Sequence, residues 1–278
     1  MRIFNTILET QQFIKSQSGS QIGFVPTMGA LHAGHIELVK RSVKENDFTV
    51  CSVFVNPTQF NNPEDLKKYP RTLEEDCKML EDAGCDLVFA PSAEEMYPAL
   101  PKIKLDFGDL ETKLEGEFRP GHFNGVGIVV SKLFHIVKPT KAYFGQKDLQ
   151  QCAVVNRMVK DLSFDLELII CDTVREESGL AMSSRNRRLS ENGKARAAFL
   201  YQSLKMGEKL LREDLPVSEV KKKISKEFSE KSYFTPEYYE IVDFETLNSI
   251  DSYEPHKKTA IVLAVFLEEV RLIDNLVF

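Results

Sequence analysis

No window of the 278-residue chain approaches the roughly 20 consecutive apolar residues that a membrane helix needs. The opening Met1-Arg2-Ile3-Phe4-Asn5-Thr6 likewise lacks the sustained apolar stretch of a secretory signal. A cytoplasmic protein with no membrane partner is therefore expected. Positive charge is also in short supply: 36 Lys and Arg stand against 42 Asp and Glu, a formal net charge of -6. That is the wrong sign for a chain whose main partner is nucleic acid, although a local cationic pocket remains compatible with it. The five cysteines, Cys51, Cys77, Cys85, Cys152 and Cys171, are odd in number and include no C-x-x-C pair. They read as reduced core thiols rather than a zinc site or a disulfide framework. No internal repeat, low-complexity tract or G-x-G-x-x-G string occurs, and without the last a nicotinamide dinucleotide fold has little support.

What is present is an ordinary globular composition, 42% hydrophobic and 28% charged, in a chain long enough for two domains. Short β-rich runs at 22–26, 49–55, 85–90, 141–144 and 166–171 alternate with helical patterns at 35–45, 72–83, 126–137 and 148–160. This alternation predicts an α/β fold, a doubly wound parallel-sheet (Rossmann-like) domain over 1–173 whose ligands lie beyond the carboxyl ends of the strands. A smaller C-terminal α+β domain is expected over 174–278. In it Ser190 caps a helix to about 212, a second helix spans 216–231 with its proline in the first turn, and strands follow at 238–243, 259–266 and 270–278. Lys221-Lys222-Lys223 point in three directions on a helix and read as a solvated surface.

The most informative segment is Pro26-Thr27-Met28-Gly29-Ala30-Leu31-His32-Ala33-Gly34-His35, which follows a strand and opens a helix. Backbone N–H groups and the positive helix end can face an anion at such a turn. The G-x-x-x-x-G spacing of Gly29 and Gly34 is followed by His35 rather than Lys-Ser/Thr, so this is not a P-loop. His32 and His35, three apart, place both imidazoles on one side of the first helical turn, where they can serve one phosphate chain, or simply cap the helix or sit at the surface. Past the second strand run, Asn56 and Gln59 offer uncharged amides that could hydrogen-bond a small polyol, or else form an ordinary turn around Pro57. Gly145-Gln146-Lys147-Asp148 again joins a strand to a helix, with Asp148 placed as an N-cap and Lys147 either a phosphate ligand or a solvated cation.

The string H-x-G-H resembles the nucleotide-binding signature of the nucleotidyltransferase superfamily, and the longer P-T-M-G-A-L-H-x-G-H resembles that of the pantothenate synthetase (pantoate–β-alanine ligase) family. Further segments similar to that family follow in order: Phe54-Val55-Asn56-Pro57-Thr58-Gln59-Phe60, Glu115-Gly116-Glu117-Phe118-Arg119-Pro120-Gly121-His122-Phe123, Tyr143-Phe144-Gly145-Gln146-Lys147-Asp148-Leu149-Gln150-Gln151 and Leu180-Ala181-Met182-Ser183-Ser184-Arg185-Asn186. Ser178 is a departure, since relatives commonly carry Asp there.

The resemblance implies an ATP site made by Met28, Gly29, Ala30, Leu31, His32, Ala33, Gly34, His35, Gly145, Gln146, Lys147, Asp148, Val174 (through its backbone, to adenine), Met182, Ser183, Ser184 and Arg185. It implies pantoate contacts from Gln59 and Gln151, with Gln59 also near β-alanine, and a homodimer. His32, His35, Lys147, Ser184 and Arg185 are the expected catalytic groups, stabilising charge as pantoate attacks the α-phosphorus of ATP and β-alanine then displaces AMP. Mg²⁺ is expected to arrive with ATP. Glu75 and Asp76, on an acidic helix face, are candidate second ligands, and no metal-binding residue is assigned. Two other readings are another H-x-G-H nucleotidyltransferase and a non-catalytic RNA-binding relative. The N-P-T-Q-F and F-R-P-G-H-F segments disfavour the first, and the net charge disfavours the second.

Overall fold

Strands β1 (Arg2–Phe4), β2 (Ile22–Thr27), β3 (Phe48–Val53), β4 (Leu87–Phe89), β5 (Lys141–Gly145) and β6 (Glu167–Cys171) form one parallel sheet in the order β1-β4-β3-β2-β5-β6. This is a computed structural model that describes residues 1–61 and 63–278. From β2 the chain runs outwards through β3 and β4 on one side and returns to β5 and β6 on the other. The carboxyl ends of β2 and β5 therefore flank the point where strand order reverses, which is where open α/β sheets bind ligands. Because both faces are covered, β2 is almost continuously apolar rather than alternating. Its neighbouring residues still part ways: Phe24 packs with Phe134, Val130 and Met158 in one core cluster, while Val25 packs with Leu38, Val39 and Leu80 in another.

Antiparallel strands β7 (Phe234–Asp243), β8 (Thr259–Leu267) and β9 (Val270–Val277) make a separate three-stranded sheet. The helices Glu191–Arg212 and Val217–Ser229 pack their apolar faces on it through Leu200, Leu204, Val220, Ile224 and Phe228. Ser190 caps the first of these, its hydroxyl oxygen accepting the Gly193 N–H at 2.9 Å. Pro216 stands at the cap of the second rather than inside its first turn. Lys221 and Lys222 make ion pairs with Glu240 and Glu219.

Two compact units result: Met1–Gly145 with Gln150–Asp172, and Gln146–Leu149 with Thr173–Phe278. The four residues after β5 thus group with the second unit, although sequence order places them within the first. The elements that were not expected include the three-residue β1, the short helices Pro63–Lys68, Ala93–Met96 and Glu115–Phe118, and the helix Ile7–Ser16, which Thr6 caps by accepting the Glu9 N–H. Strand β7 starts at Phe234 rather than 238, with a register shift between Pro236 and Tyr238 that accommodates the proline. The helix expected at 126 starts at His122, where Gly121 takes a left-handed φ of 77° at the cap. All five cysteines are reduced thiols. Burial raises Cys51 far above the ordinary thiol range, pushes Cys85 up to about 12 and raises Cys77 and Cys171, so these thiols stay protonated and unreactive near neutrality.

Candidate active site

The chain leaves β2 at Thr27 and enters the helix Ala33–Glu45 through a turn with two consecutive left-handed residues, Gly29 at φ 77° and Ala30 at φ 50°. A side chain at position 29 would be strained by that φ. Its Cβ would also lie 2.9 Å from Asp76 Oδ2 and 3.0 Å from Val53 Cγ1. The Ala30 conformation costs on the order of 1 kcal/mol and persists only where the surroundings impose it. Asp76 imposes it: Oδ2 accepts the Ala30 N–H at 2.9 Å and Oδ1 accepts the Leu31 N–H at 2.7 Å. The Thr72 hydroxyl donates to the same carboxylate at 3.3 Å. The Gly29 N–H donates to Thr27 Oγ1 at 3.2 Å.

The amides of Gly29, Ala30 and Leu31, expected to face an anion, are therefore committed to the protein itself. What remains for a phosphate is the start of the helix at Ala33 and Gly34, together with the two imidazoles. His32 and His35 are half-buried with ring centroids 4.0 Å apart, and His32 makes no side-chain cap bond to the helix. Capping thus does not account for His32. Asp76 is 1% exposed with both oxygens engaged, so it is not an acidic-face ligand for Mg²⁺, while Glu75 is exposed. Among the described residues no group of three or more His, Cys, Asp or Glu is placed to hold a metal ion.

Beyond β3, Asn56 Nδ2 donates to Gln59 Oε1 at 3.0 Å and to Gly125 O at 3.2 Å, and Asn56 Oδ1 accepts from the Tyr97 hydroxyl at 3.0 Å. Asn56 is thus occupied in shaping the turn Pro57–Gln59 and is not an amide available to a polyol. Helix His122–Val137 closes on that turn at Gly125, where a Cβ would meet Thr58 O at 2.3 Å. Gln59 is 7% exposed, its Nε2 lies 3.2 Å from Met28 Sδ, and its carbonyl lies 2.8 Å from His122 Nδ1. The structure thus brings Gln59 to the loop after β2. Gln150 is a staple whose Nε2 donates to Leu110 O and Lys113 O at 2.8 and 2.9 Å. Its neighbour Gln151 is half-buried on the same helix, Leu149–Asp161.

In the second unit Lys147 sits on the 3₁₀ turn Gln146–Asp148 with its side chain only 15% exposed, Nζ being 3.6 Å from Asp148 Oδ1. It is not a solvated surface lysine. Val174 O accepts the Met182 N–H at 3.0 Å, and a bridge between Arg175 and Ala181 closes a tight hairpin. At its tip Gly179 has φ 89° and Ser178 Oγ accepts the Leu180 N–H at 3.3 Å. Ser178 therefore makes the local side-chain-to-backbone turn that an Asp would make, and the departure costs nothing visible. Ser183 caps the 3₁₀ turn Ser184–Arg188 by accepting the Arg185 N–H, while Asn186 Nδ2 ties that turn to Glu176 Oε1 and Ala181 O. Burial pushes the Asp274 carboxyl above its usual range, and the Arg175 guanidinium beside it pulls the other way.

A family model described as pantoate-beta-alanine ligase matches residues 2–277. The chain belongs to the pantoate–β-alanine ligase family. It is 52% identical over 264 residues to a pantothenate synthetase of Cytophaga hutchinsonii, covering 95% of this chain and 93% of that one. It is 48% identical over 278 residues to that of Bacteroides thetaiotaomicron, covering 99% and 98%. Among solved structures it superposes on pantothenate synthetase from Thermus thermophilus with a TM-score of 0.93 at 43% identity, covering 99% of each chain. It superposes on the Francisella tularensis ligase, complexed with beta-gamma ATP and β-alanine, with a TM-score of 0.82 at 36% identity, covering 99% of this chain and 97% of that one.

Asp76, read from the sequence as a candidate Mg²⁺ ligand on an acidic helix face, is instead a buried support of the loop after β2. One signal was available, since Asp76 shares a helix face with the fully buried Leu80 four residues on. Asp76→Asn sets an amide N–H against a backbone N–H. It should lower unfolding free energy by about 2–3 kcal/mol and weaken ATP binding in the fraction that remains folded. Calorimetry on the variant checks both, and unchanged stability with unchanged ATP affinity would contradict the role given to Asp76.

Proposed function

We infer that this chain condenses (R)-pantoate with β-alanine in an ATP-driven reaction, giving pantothenate, AMP and pyrophosphate through a pantoyl adenylate. The observation that carries the inference is the loop shaped by Asp76, which sets His32 and His35 side by side beyond β2 in a chain that matches the pantoate–β-alanine ligase family over residues 2–277. A carboxylate is a poor acyl donor, and transfer of AMP to its oxygen supplies the leaving group that amide formation needs. No enzyme nucleophile is required, so the protein's contribution is alignment of the reactants and stabilisation of charge on the phosphates.

Each residue's role follows from its chemistry. His32 and His35 donate to phosphate oxygens as charge builds there. Lys147, Ser184 and Arg185 supply a cation, a hydroxyl and a planar fork for the departing pyrophosphate. Met28, Gly29, Ala30, Leu31, Ala33, Gly34, Gly145, Gln146, Asp148, Val174, Met182 and Ser183 shape the remainder of the nucleotide site. Gln59 and Gln151 hold pantoate through neutral amides, which add no charge to a site already receiving a triphosphate, and Gln59 also borders β-alanine. Mg²⁺ delivered with ATP would neutralise phosphate charge. Asp76, committed to the loop, would not be among its ligands. A cytoplasmic homodimer is the expected form.

If the adenylate forms first, labelled pyrophosphate exchanges into ATP with pantoate and Mg²⁺ present and β-alanine absent. Exchange that requires β-alanine, or that proceeds without pantoate, would contradict the scheme. Gln59→Ala and Gln151→Ala should each raise the KM for pantoate by roughly tenfold or more, the loss of one to two neutral hydrogen bonds, with ATP binding changed little. Steady-state kinetics in which pantoate KM is unmoved in both variants would remove these glutamines from the site.

A further inference from the structure

The end of β9 carries two adjacent buried polar residues, Asp274 and Asn275, each bound to a different loop. Asn275 Nδ2 donates to Gln146 O and to Lys147 O, both at 2.9 Å, so one amide nitrogen commits both of its protons to successive carbonyls of the lysine turn. The orientation of that amide is forced. Reversing it would set the side-chain oxygen against two carbonyl oxygens, whereas as placed Oδ1 is merely buried without a partner. The Asn275 main-chain carbonyl accepts from Arg175 Nη2 at 3.0 Å. Asp274 takes the same guanidinium in both hands, Oδ2 from Nη1 at 2.6 Å and Oδ1 from Nη2 at 3.0 Å. Arg175 also donates to Gly179 O at 3.1 Å and stacks 3.8 Å over the Tyr201 ring, which fixes the hairpin leading into Met182-Ser183-Ser184-Arg185.

We propose that Asp274-Asn275 is the positioning element of the phosphate-binding cations: Asn275 fixes Lys147 through its backbone, and Asp274, through Arg175, fixes the hairpin ahead of Ser184 and Arg185. This explains why Gln146–Leu149, which follows β5 directly, belongs with the second unit. Lysine is a point charge on a four-carbon stem, and its value to a transition state depends on how narrowly its origin is held. Two hydrogen bonds to consecutive carbonyls hold that origin, and the low exposure of the stem limits its swing. Through one strand the lysine turn and the serine–arginine turn keep a single mutual geometry, so the cations behave as one rigid group.

The proposal rests on assigning Lys147 to the phosphates, and a double-mutant cycle separates the two claims. Single-turnover adenylate formation is measured per folded site at saturating ATP and pantoate for Lys147→Ala, Asn275→Ala and the double variant. Asn275→Leu, close in size and without donors, serves as a second variant in which the cavity is filled. Lys147→Ala should be slower by roughly 10²–10³-fold, and either Asn275 variant by roughly 10–10²-fold, with pantoate affinity unchanged within about twofold. The double variant should be no slower than Lys147→Ala by more than about threefold, since a residue acting through Lys147 has nothing left to position. Multiplicative losses in the double variant, or wild-type rates in the folded Asn275 variants, would overturn the positioning role. A wild-type rate for Lys147→Ala would instead overturn the assignment of Lys147 itself.

Discussion

The candidate site depends first on a carboxylate whose two oxygens are taken up by the protein's own backbone. Asp76 is buried, so its carboxyl oxygens need donors, and those they find are the amides of Ala30 and Leu31, forty-six and forty-five residues earlier in the chain. In exchange the loop is held in two successive left-handed residues that a free chain would abandon. That geometry turns the chain from β2 into the helix Ala33–Glu45 and leaves His32 and His35 with their rings side by side. Charge-assisted bonds from backbone N–H to carboxylate are among the stronger neutral-to-ion contacts, which suits a turn that must not move while phosphate charge redistributes.

The same device recurs in the second unit. Asp274 holds Arg175, Asn275 holds the carbonyls of Gln146 and Lys147, and Asn186 holds Glu176 and Ala181. In each case a buried polar side chain on one element satisfies the backbone or side chain of a loop that would otherwise be free to adapt. Loops carry the proposed site residues, and long-range hydrogen bonds give those loops the rigidity that strands have by construction.

Much of this was legible in the residues. Strands β2, β5 and β6 lie within a residue of the apolar runs that predict them; the inner strands β2 and β5 are buried on both faces and leave an unbroken hydrophobic signature, and the half-buried edge strand β6 keeps the apolar run Leu168-Ile169-Ile170. The turn around His32 and His35 was legible from its glycines and its position between strand and helix. Helix Ile7–Ser16 went unread although Thr6 and Glu9 form the T-x-x-E pattern of a helix start. Asn275 and Gln150 were not legible as loop supports, because their partners are distant in sequence, and for Asp76 the one local signal, a helix face shared with the buried Leu80, marks burial without naming the loop it holds. Asn56 shows the converse: its place beyond β3 suggested a ligand contact, and the structure uses it to build the turn that carries Gln59.

The proposed function has the pantoate carboxylate attack the α-phosphorus directly. The bridging oxygen of the adenylate then comes from pantoate, and it stays with phosphorus when β-alanine attacks the acyl carbon. The most direct test is isotopic: pantoate labelled with ¹⁸O in both carboxylate oxygens, turned over with ATP and β-alanine, with AMP analysed by mass spectrometry. The account predicts one ¹⁸O in each AMP and one in each pantothenate; AMP formed without ¹⁸O would contradict it.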